Sequence, residues 1–467
     1  MATITFHGAA QEVTGSCHML ESKNFGRILL DCGMQQGEDV EERTTEDHFD
    51  FDPASVQAVV LSHAHLDHSG LLPQLVHEGF SGPIHCTAAS ADLLDIMLKD
   101  AWGLYERDLT HQNTRRARRG EAPLQPSYTM ADVDQALAQC AAHRYGEKFS
   151  LASDTDCTFH DAGHILGSAI TEINIRELGA SKTLVFSGDL GKKDAVLMND
   201  PARLSEADVV LMESTYGDRN HRSMDNTVEQ LKHILQDRWK SGGNVLIPAF
   251  AVGRTQELLF YLGQLHHQGE LDEWQIFVDS PMAISVTKVY DRWFNILDSK
   301  DVRPLSSHHE TLLKGFLPRL NLTVTPEESM AINDVKKGAI IIAGSGMCTG
   351  GRIRHHFKQR IWKENNTLLF VGFQAHGTLG RILVDGVKRI KLFGDYFAVK
   401  AQVETLGGFS AHAGRDELIE WAANFSNSPR FALVHGEPQA IDALAHSLWQ
   451  EHRIRALTPH RGDSMVF

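Results

Sequence analysis

Residues 56–62 read VQAVVLS, and the chain then runs directly into His63-Ala64-His65-Leu66-Asp67-His68, an H-x-H-x-D-H pattern. The run before it is nearly continuous in apolar character, as a strand buried on both faces of a sheet would be. Three imidazoles and a carboxylate within six residues therefore leave a strand end and enter a turn, where the backbone splays them toward different coordination positions. Any one of these histidines alone reads as a surface residue or a hydrogen-bonded core residue. All four groups together, just past an apolar strand, read as metal ligands. One tetrahedral site rarely takes four such close neighbours, so two ligand pairs at this spacing point to two metals.

Further ligands should come from similar loops at strand ends. Gly163-His164-Ile165-Leu166-Gly167-Ser168 places a histidine among small residues, and Gly188-Asp189-Leu190-Gly191 places a carboxylate just past the run TLVFS at 183–187. His160 lies four residues before His164 and competes with it, but a glycine-flanked position better suits close backbone approach to a metal. The 467 residues include 26 histidines, and histidine is the commonest metal-ligating side chain. With 45 Lys and Arg against 60 Asp and Glu the net charge is −15, which disfavours indiscriminate nucleic-acid binding, because that affinity comes from basic side chains neutralising phosphates. A polyanion handled by this chain has to meet a local positive site. The six cysteines form no C-x-x-C, so neither a zinc ribbon nor a secreted disulfide framework is suggested, and buried free thiols are expected. No apolar stretch approaches the roughly 18 residues that span a bilayer, and the N-terminus has no basic segment followed by an apolar one. A soluble, cytoplasmic protein is the expectation.

In the first third, β-rich runs at 27–31, 56–62, 83–86 and 183–187 alternate with Gly-bounded turns, and helices fit 90–105 and 130–142. The Arg-rich segment 111–123 reads as an exposed excursion or a charged helix. From about Val209, strands at 209–213, 244–249, 275–280, 339–343 and 367–373 are separated by amphipathic helices such as 226–240, 255–264 and 353–362. That spacing predicts a parallel sheet with right-handed crossovers. No Pro/Gly/Ser-rich linker divides the two regions, which favours an insertion within one domain.

The H-x-H-x-D-H pattern followed by the separated His164 and Asp189 resembles the metallo-β-lactamase superfamily, whose fold is an αβ/βα sandwich with metals at one edge. Asp31, which ends the run RILLD before Cys32-Gly33, matches that superfamily's first motif, an aspartate orienting the histidine loop. The later region resembles the β-CASP group of nucleic-acid-processing enzymes. Its three motifs match Glu213 in Met212-Glu213-Ser214-Thr215-Tyr216-Gly217, His412 in Gly408-Phe409-Ser410-Ala411-His412-Ala413, and His435 in Leu433-Val434-His435-Gly436-Glu437. The segment 248–257, which contains Arg254, and the segment 377–381 are also typical of the group. Within it the chain is similar to the endonuclease subunit of the cleavage and polyadenylation machinery and its compact prokaryotic relatives. It ends without the long C-terminal extensions of RNase J and the DNA-directed members, which sets the expectation at endonucleolytic cutting of RNA.

The resemblance implies an α/β fold: a metallo-β-lactamase sandwich from residues 1–212 and 396–467, with an inserted β-CASP domain, 213–395, built on a mostly parallel sheet. It implies two zinc ions per chain, one held by His63, His65 and His164, the other by Asp67, His68 and His435, with Asp189 bridging. Manganese or iron suits the same ligand types. Two carboxylates facing two divalent cations leave the cluster at about +2, a local positive site in an acidic chain. The implied activity is metal-dependent hydrolysis of single-stranded RNA by a hydroxide that the two ions activate. The implied catalytic residues are His412, Glu213 and Asp67: His412 protonates the departing oxygen, Glu213 orients it and keeps it protonated, and Asp67 acts at the metal pair. A small-molecule hydrolase (thioester, lactone or lactam) and a DNA-directed nuclease are the alternatives on the same sandwich.

A Gly/Ser loop, Gly344-Ser345-Gly346-Met347-Cys348-Thr349-Gly350-Gly351-Arg352, follows an apolar strand and precedes a helix. Such a loop can aim backbone N–H groups at an anion, so Ser345, Gly346, Met347 and Arg352 are candidate phosphate or RNA contacts, as are Arg254 and His376. The loop lacks the Lys-Ser/Thr ending of a P-loop, and no nucleotide cofactor is expected. Arg354, Lys358, Arg360, Lys363, Lys388, Arg389 and Lys391 read equally as a solvated face and as the lining of a strand-binding groove. The expected partner is single-stranded RNA, with no membrane, and a homodimer is the candidate assembly.

Overall fold

Alternation of buried and half-buried positions along Ala169–Glu177, with Thr171, Ile173 and Ile175 turned inward, makes a strand whose one face packs on a core. This pattern recurs through the first of two units in the computed structural model, which describes residues 2–35, 49–177, 180–301, 316–372, 374–375 and 377–467. The first unit comprises Met1–Asn220 and His412–Phe467, the second His221–Ala411.

Two seven-stranded sheets form the first unit. One runs in the order Ser464–Val466, Thr3–Phe6, His18–Ser22, Gly26–Leu30, Val56–Val60, Ile84–Thr87, Cys140–His143, and the last four are parallel. The other runs Ala456–Leu457, Arg430–Val434, Val209–Glu213, Ala180–Phe186, Ala169–Glu177, Thr155–Asp161, Lys148–Ala152, and its first four strands are parallel. Ile4, Phe6, Leu20, Ile28, Leu30 and Val60 from one sheet pack on Phe159, Ile173, Leu184, Phe186, Leu211 and Val434 from the other. Sheet-on-sheet burial of this kind leaves each outer face to be covered by helices. Arg415–Ala422 and Pro438–His452 cover the second sheet, with Leu418, Ile419, Ile441 and Leu444 on Val210, Met212 and Leu433.

The helix expected at 90–105 runs over Ala88–Arg118. Thr87 caps it by accepting a hydrogen bond from the Ser90 N–H, and only its first three turns are buried. Of the two readings of the Arg-rich segment, the charged helix is the one adopted as far as Arg118, where Arg115, Arg116 and Arg118 stand at the negative end of the helix dipole.

In the second unit six strands lie in the order Leu320–Leu322, Gln275–Val278, Ala339–Ala343, Val245–Pro248, Thr367–Phe370, Gln402–Thr405, all parallel. A separate antiparallel hairpin pairs Arg389–Leu392 with Asp395–Ala398. The chain leaves the first unit after Asn220 and re-enters it at His412. The two ends are held side by side, the Arg415 N–H donating to the Arg219 carbonyl and the Asp416 N–H to Asn220 Oδ1, both at 3.0 Å. Such closed ends let an insertion fold without pulling its host apart.

None of the six cysteines is in a disulfide, and five are buried. Among the described residues no helix is long and apolar enough to cross a membrane.

Candidate metal centre

Five of the residues singled out in the sequence stand at strand exits. Asp31 follows Gly26–Leu30, His63 comes shortly after Val56–Val60, Asp189 after Ala180–Phe186, Glu213 ends its strand, and His435 follows Arg430–Val434. Parallel neighbours direct their carboxyl ends the same way, so the exits gather at one edge. His164 arrives on the loop joining the antiparallel strands Thr155–Asp161 and Ala169–Glu177. Two glycines permit the convergence. A Cβ on Gly33 would lie 1.6 Å from the Asp67 carbonyl oxygen, and one on Gly191 would lie 1.9 Å from that of Gly163. Asp31 and His435 both adopt left-handed backbone, φ 58° and 52°, which costs a residue with a Cβ about 1–2 kcal/mol. Strain of this kind persists where surrounding contacts fix it: the Asp31 N–H donates to Val60 O at 3.0 Å and the His435 N–H to Ala9 O at 2.7 Å.

The donor atoms form two adjacent groups. His63 Nε2 lies 3.0 Å from His65 Nδ1, which is 3.3 Å from His164 Nε2, and Asp189 Oδ2 is 3.5 Å from both His63 Nε2 and His164 Nε2. In the second group His68 Nε2 lies 3.1 Å from His435 Nε2, and Asp67 Oδ2 is 4.0 Å and 3.7 Å from them respectively. Asp189 Oδ1 is 3.3 Å from His68 Nε2. One carboxylate thus turns one oxygen to each group.

Hydrogen bonds set the tautomers. Asp31 Oδ2 accepts from His68 Nδ1 at 2.7 Å and from the Ser62 hydroxyl at 2.9 Å, while Oδ1 accepts from the Ser62 N–H at 2.7 Å. With its hydrogen given to Asp31, the Ser62 oxygen accepts from His63 Nδ1 at 3.1 Å. The Nε2 atoms of His63 and His68 are thereby aimed into the cluster, the arrangement seen behind metal-ligating imidazoles. Burial, followed by the neighbouring His68, holds His63 well below its ordinary pKa, and burial lowers His65; both are neutral, as ligation requires. Burial pushes Asp189 up, but the imidazoles of His435, His68 and His412 outweigh it and hold the carboxyl well below its usual range. Asp189 Oδ1 is nonetheless buried without a hydrogen-bond donor. Burial pulls His68 down, but the carboxylates of Asp189 and Asp31 prevail and raise it well above its ordinary range, so positive charge gathers beside that ionised oxygen; a divalent cation there would take the place of the imidazole proton. Replacing Asp31 with Asn should therefore weaken metal binding about 10- to 100-fold, read by competition with a chelator; unchanged affinity would mean that His68 is held by other contacts.

Beside the cluster, His412 forms an isolated antiparallel bridge with Gly191. Its Nδ1 is 3.1 Å from Glu213 Oε1 and 3.9 Å from Asp189 Oδ2, and its side chain is 21 % exposed where that of Glu213 is fully buried. Glu213 Oε1 also accepts from the Leu190 N–H at 2.6 Å and Oε2 from the Thr215 N–H at 3.2 Å, so backbone donors fix the carboxylate. Burial opposes protonation of His412, but the charges of Glu213 and Asp189 prevail and raise it to about 9. Asp189, Glu213 and His412 bring donor atoms within 4.8 Å of one another, so His412 also sits within reach of a metal.

Family models match the Metallo-beta-lactamase superfamily over residues 11–249, the Beta-Casp domain over 255–383, and the Zn-dependent metallo-hydrolase RNA specificity domain over 396–459. The chain belongs to the metallo-β-lactamase superfamily. Within this superfamily it is 39% identical to Ribonuclease TTHA0252 of Thermus thermophilus, covering 94% of each chain. It is 32% identical to Transcription termination factor FttA of Methanothermobacter thermautotrophicus, over 98% of this chain and 70% of that one. A crystal structure of a protein of unknown function from Enterococcus faecalis V583 shares the fold, with a TM-score of 0.55 and 14% identity over the whole of both chains.

The superfamily's donor cluster lies entirely in the first unit; the expected phosphate contacts lie in the second. Arg352 is engaged within that unit: Nη1 donates to Asp279 Oδ1 at 2.7 Å and Thr323 O at 3.2 Å, and Nη2 to Val324 O at 2.6 Å. Arg254 pairs with Glu257 and lies over the Phe409 ring, 5.6 Å from its centroid. Ser345 Oγ accepts from the Gly350 N–H at 3.2 Å, the Gly346 carbonyl accepts from Gln374 at 3.1 Å and the Met347 carbonyl from the Gly380 N–H at 3.1 Å, so this hydroxyl and these two carbonyls serve to close the loop. His376 lies outside the described residues. Ser62, Gly33 and Gly191 were not singled out by sequence; the signal for Ser62 was its place between the apolar strand and the first ligand.

Proposed function

We propose that this chain is a metal-dependent ribonuclease that hydrolyses phosphodiester bonds of single-stranded RNA endonucleolytically. The observation that carries the reading is Asp189, whose two oxygens face two separate donor groups while His412, backed by Glu213, stands at the same carboxylate. The relatives named as a ribonuclease and as transcription termination factors support RNA as the polymer.

His63, His65 and His164 with Asp189 Oδ2 would hold one ion, and Asp67, His68 and His435 with Asp189 Oδ1 the other; imidazole-rich ligation favours zinc. Two divalent ions supply, when bound, a water nucleophile at neutral pH and positive charge toward phosphoryl oxygens. The chain's own residues do the rest. Asp31 and Ser62 fix the rings of His68 and His63. Asp67 contributes its carboxylate at the rim of the second donor group. Glu213 holds His412 through Nδ1, so a proton given to the departing oxygen leaves from Nε2. Departure of a sugar alkoxide is costly at neutral pH, and this is the step a protonated imidazole eases.

The test is to incubate zinc-loaded protein with circular and linear single-stranded RNA, circular single-stranded DNA and a thioester. Cutting of RNA circles is the expected result. Digestion of linear RNA alone would replace endonuclease with exonuclease, and turnover of the thioester alone would overturn the nuclease reading.

A further inference from the structure

The antiparallel hairpin of the second unit alternates cleanly. Ile390 and Leu392 turn into a core with Phe357, Ile361 and Leu383, which puts Arg389 and Lys391 on the opposite, solvent face. Lys391 pairs across the hairpin with Tyr396, and Tyr396 is 60% exposed. The Arg389 guanidinium lies 4.4 Å from the centre of the Tyr396 ring and the Lys391 ammonium 5.9 Å from it. At the hairpin turn Phe393, 48% exposed, covers the outer face of the helix Ile353–Arg360: its ring stacks on His355 at 4.5 Å and 26°, with Arg354 at 5.4 Å and Lys358 at 5.9 Å from its centre.

Nearby cations are neutralised, Arg381 by Asp385 at 3.0 Å and Lys400 by Glu364 at 3.4 Å. Arg354, Lys358, Lys388, Arg389 and Lys391 form no ion pair among the described residues. In a chain of net charge −15, a run of uncompensated cations set around two exposed aromatic rings is unlike a merely solvated face, where opposite charges intermix. Cations that can meet successive phosphates, interleaved with rings on which bases can stack, are the two components of a single-strand platform.

We propose that the Arg389–Leu392/Asp395–Ala398 hairpin and the outer face of the helix Ile353–Arg360 form a binding surface for single-stranded RNA, with bases stacking on Tyr396 and Phe393 and phosphates paired by Arg389, Lys391 and Lys358. The identity of the strand as RNA rests on the ribonuclease reading; the surface itself rests on charge and ring geometry.

The probe is a fluorescently labelled, phosphorothioate-substituted single-stranded RNA, its binding to the zinc-loaded protein followed by anisotropy at several salt concentrations. The triple variant Arg389→Ala/Lys391→Ala/Tyr396→Ala should raise Kd at least about tenfold and make the slope of log Kd against log salt shallower by about 1.4, the value for two lost phosphate contacts on a single strand. Lys358→Ala, on the helix side, should weaken binding with a slope change of about 0.7, the value for one lost phosphate contact. Turnover of bis(p-nitrophenyl) phosphate, too small to span such a surface, should stay at the wild-type rate in both, which also reports that they are folded. Kd and slope within twofold of wild type in both variants would overturn the surface, as would capture of an acidic protein that both variants lose while binding RNA normally. Wild-type protein that cuts RNA while the variants bind it normally defeats the surface alone; wild-type protein that cuts no RNA defeats the nuclease reading instead.

Discussion

Replacing Asp189 with Asn should strip metal from the protein and reduce RNA cleavage on the order of 10³-fold or more. The carboxylate is nearly isosteric with the amide, so packing is preserved and the change is one of charge and donor type. Both oxygens are committed, Oδ2 toward His63 and His164 and Oδ1 toward His68. An amide presents an N–H₂ to one of these groups, and a donor facing imidazole lone pairs repels a cation from that side. Elemental analysis after dialysis is the direct measurement. The variant should lose at least half of the wild-type metal, and zinc added back after chelation should restore wild-type cleavage but not that of the variant. His160→Ala is the internal control: His160 Nε2 lies 2.8 Å from Glu172 Oε2, a pairing outside the cluster, and its loss should leave metal content unchanged. Full metal in the Asp189 variant would end the assignment of that residue as the shared ligand.

Why the ligands of this centre leave local marks in the sequence while its support shows only through family motifs, or not at all, is a matter of range. Metal chemistry demands particular side chains, and strand ends that converge in space leave local marks: His63, Asp189, Glu213 and His435 each stand at the end of an apolar run. The groups that hold those ligands act across the fold. Asp31 is marked by its match to the superfamily's first motif, but it meets Ser62 and His68 because Gly26–Leu30 and Val56–Val60 are parallel neighbours, and the place of Ser62 before the first ligand marks the position without naming that partner. Arg352 makes the same point in reverse. Its sequence context, a Gly/Ser loop opening a helix, suggests an anion, but the buried carboxylate of Asp279, 73 residues earlier, takes its guanidinium.

The fold divides along the same line. Strands buried on both faces, such as Val209–Glu213 and Ala339–Ala343, have the expected limits because their apolar runs are short and rich in Val or Ile, which favours strand over buried helix. The helix expected at 130–142 stops at Ala138, and Cys140–His143 becomes an edge strand parallel to Ile84–Thr87, a pairing that overrides local helix preference. The solvent-exposed half of Ala88–Arg118 lacks apolar periodicity, so its helical state is set by residue propensity and by the absence of glycine or proline over its last turns rather than by burial.

Changing His412 to Ala should separate binding of metal from chemistry. If the imidazole acts as general acid, the variant keeps the wild-type metal content and loses RNA cleavage by about 10²- to 10⁴-fold, the usual worth of a positioned proton donor. The effect should depend on the leaving group. A sugar alkoxide needs a proton as it departs, whereas p-nitrophenolate leaves unaided, so bis(p-nitrophenyl) phosphate should be turned over by the variant at close to the wild-type rate. Glu213→Gln supplies the second axis. Its carboxylate is fixed by the Leu190 and Thr215 N–H groups and faces His412 at 3.1 Å, so removing its charge weakens the hold on the protonated ring without vacating space. Cleavage of RNA should fall, by less than in His412→Ala, and again with little effect on the nitrophenyl diester. A purely structural role predicts equal losses on both substrates. Loss of metal from His412→Ala would place the ring among the ligands, in keeping with the 4.8 Å grouping of Asp189, Glu213 and His412, and would leave the departing oxygen to find its proton in water.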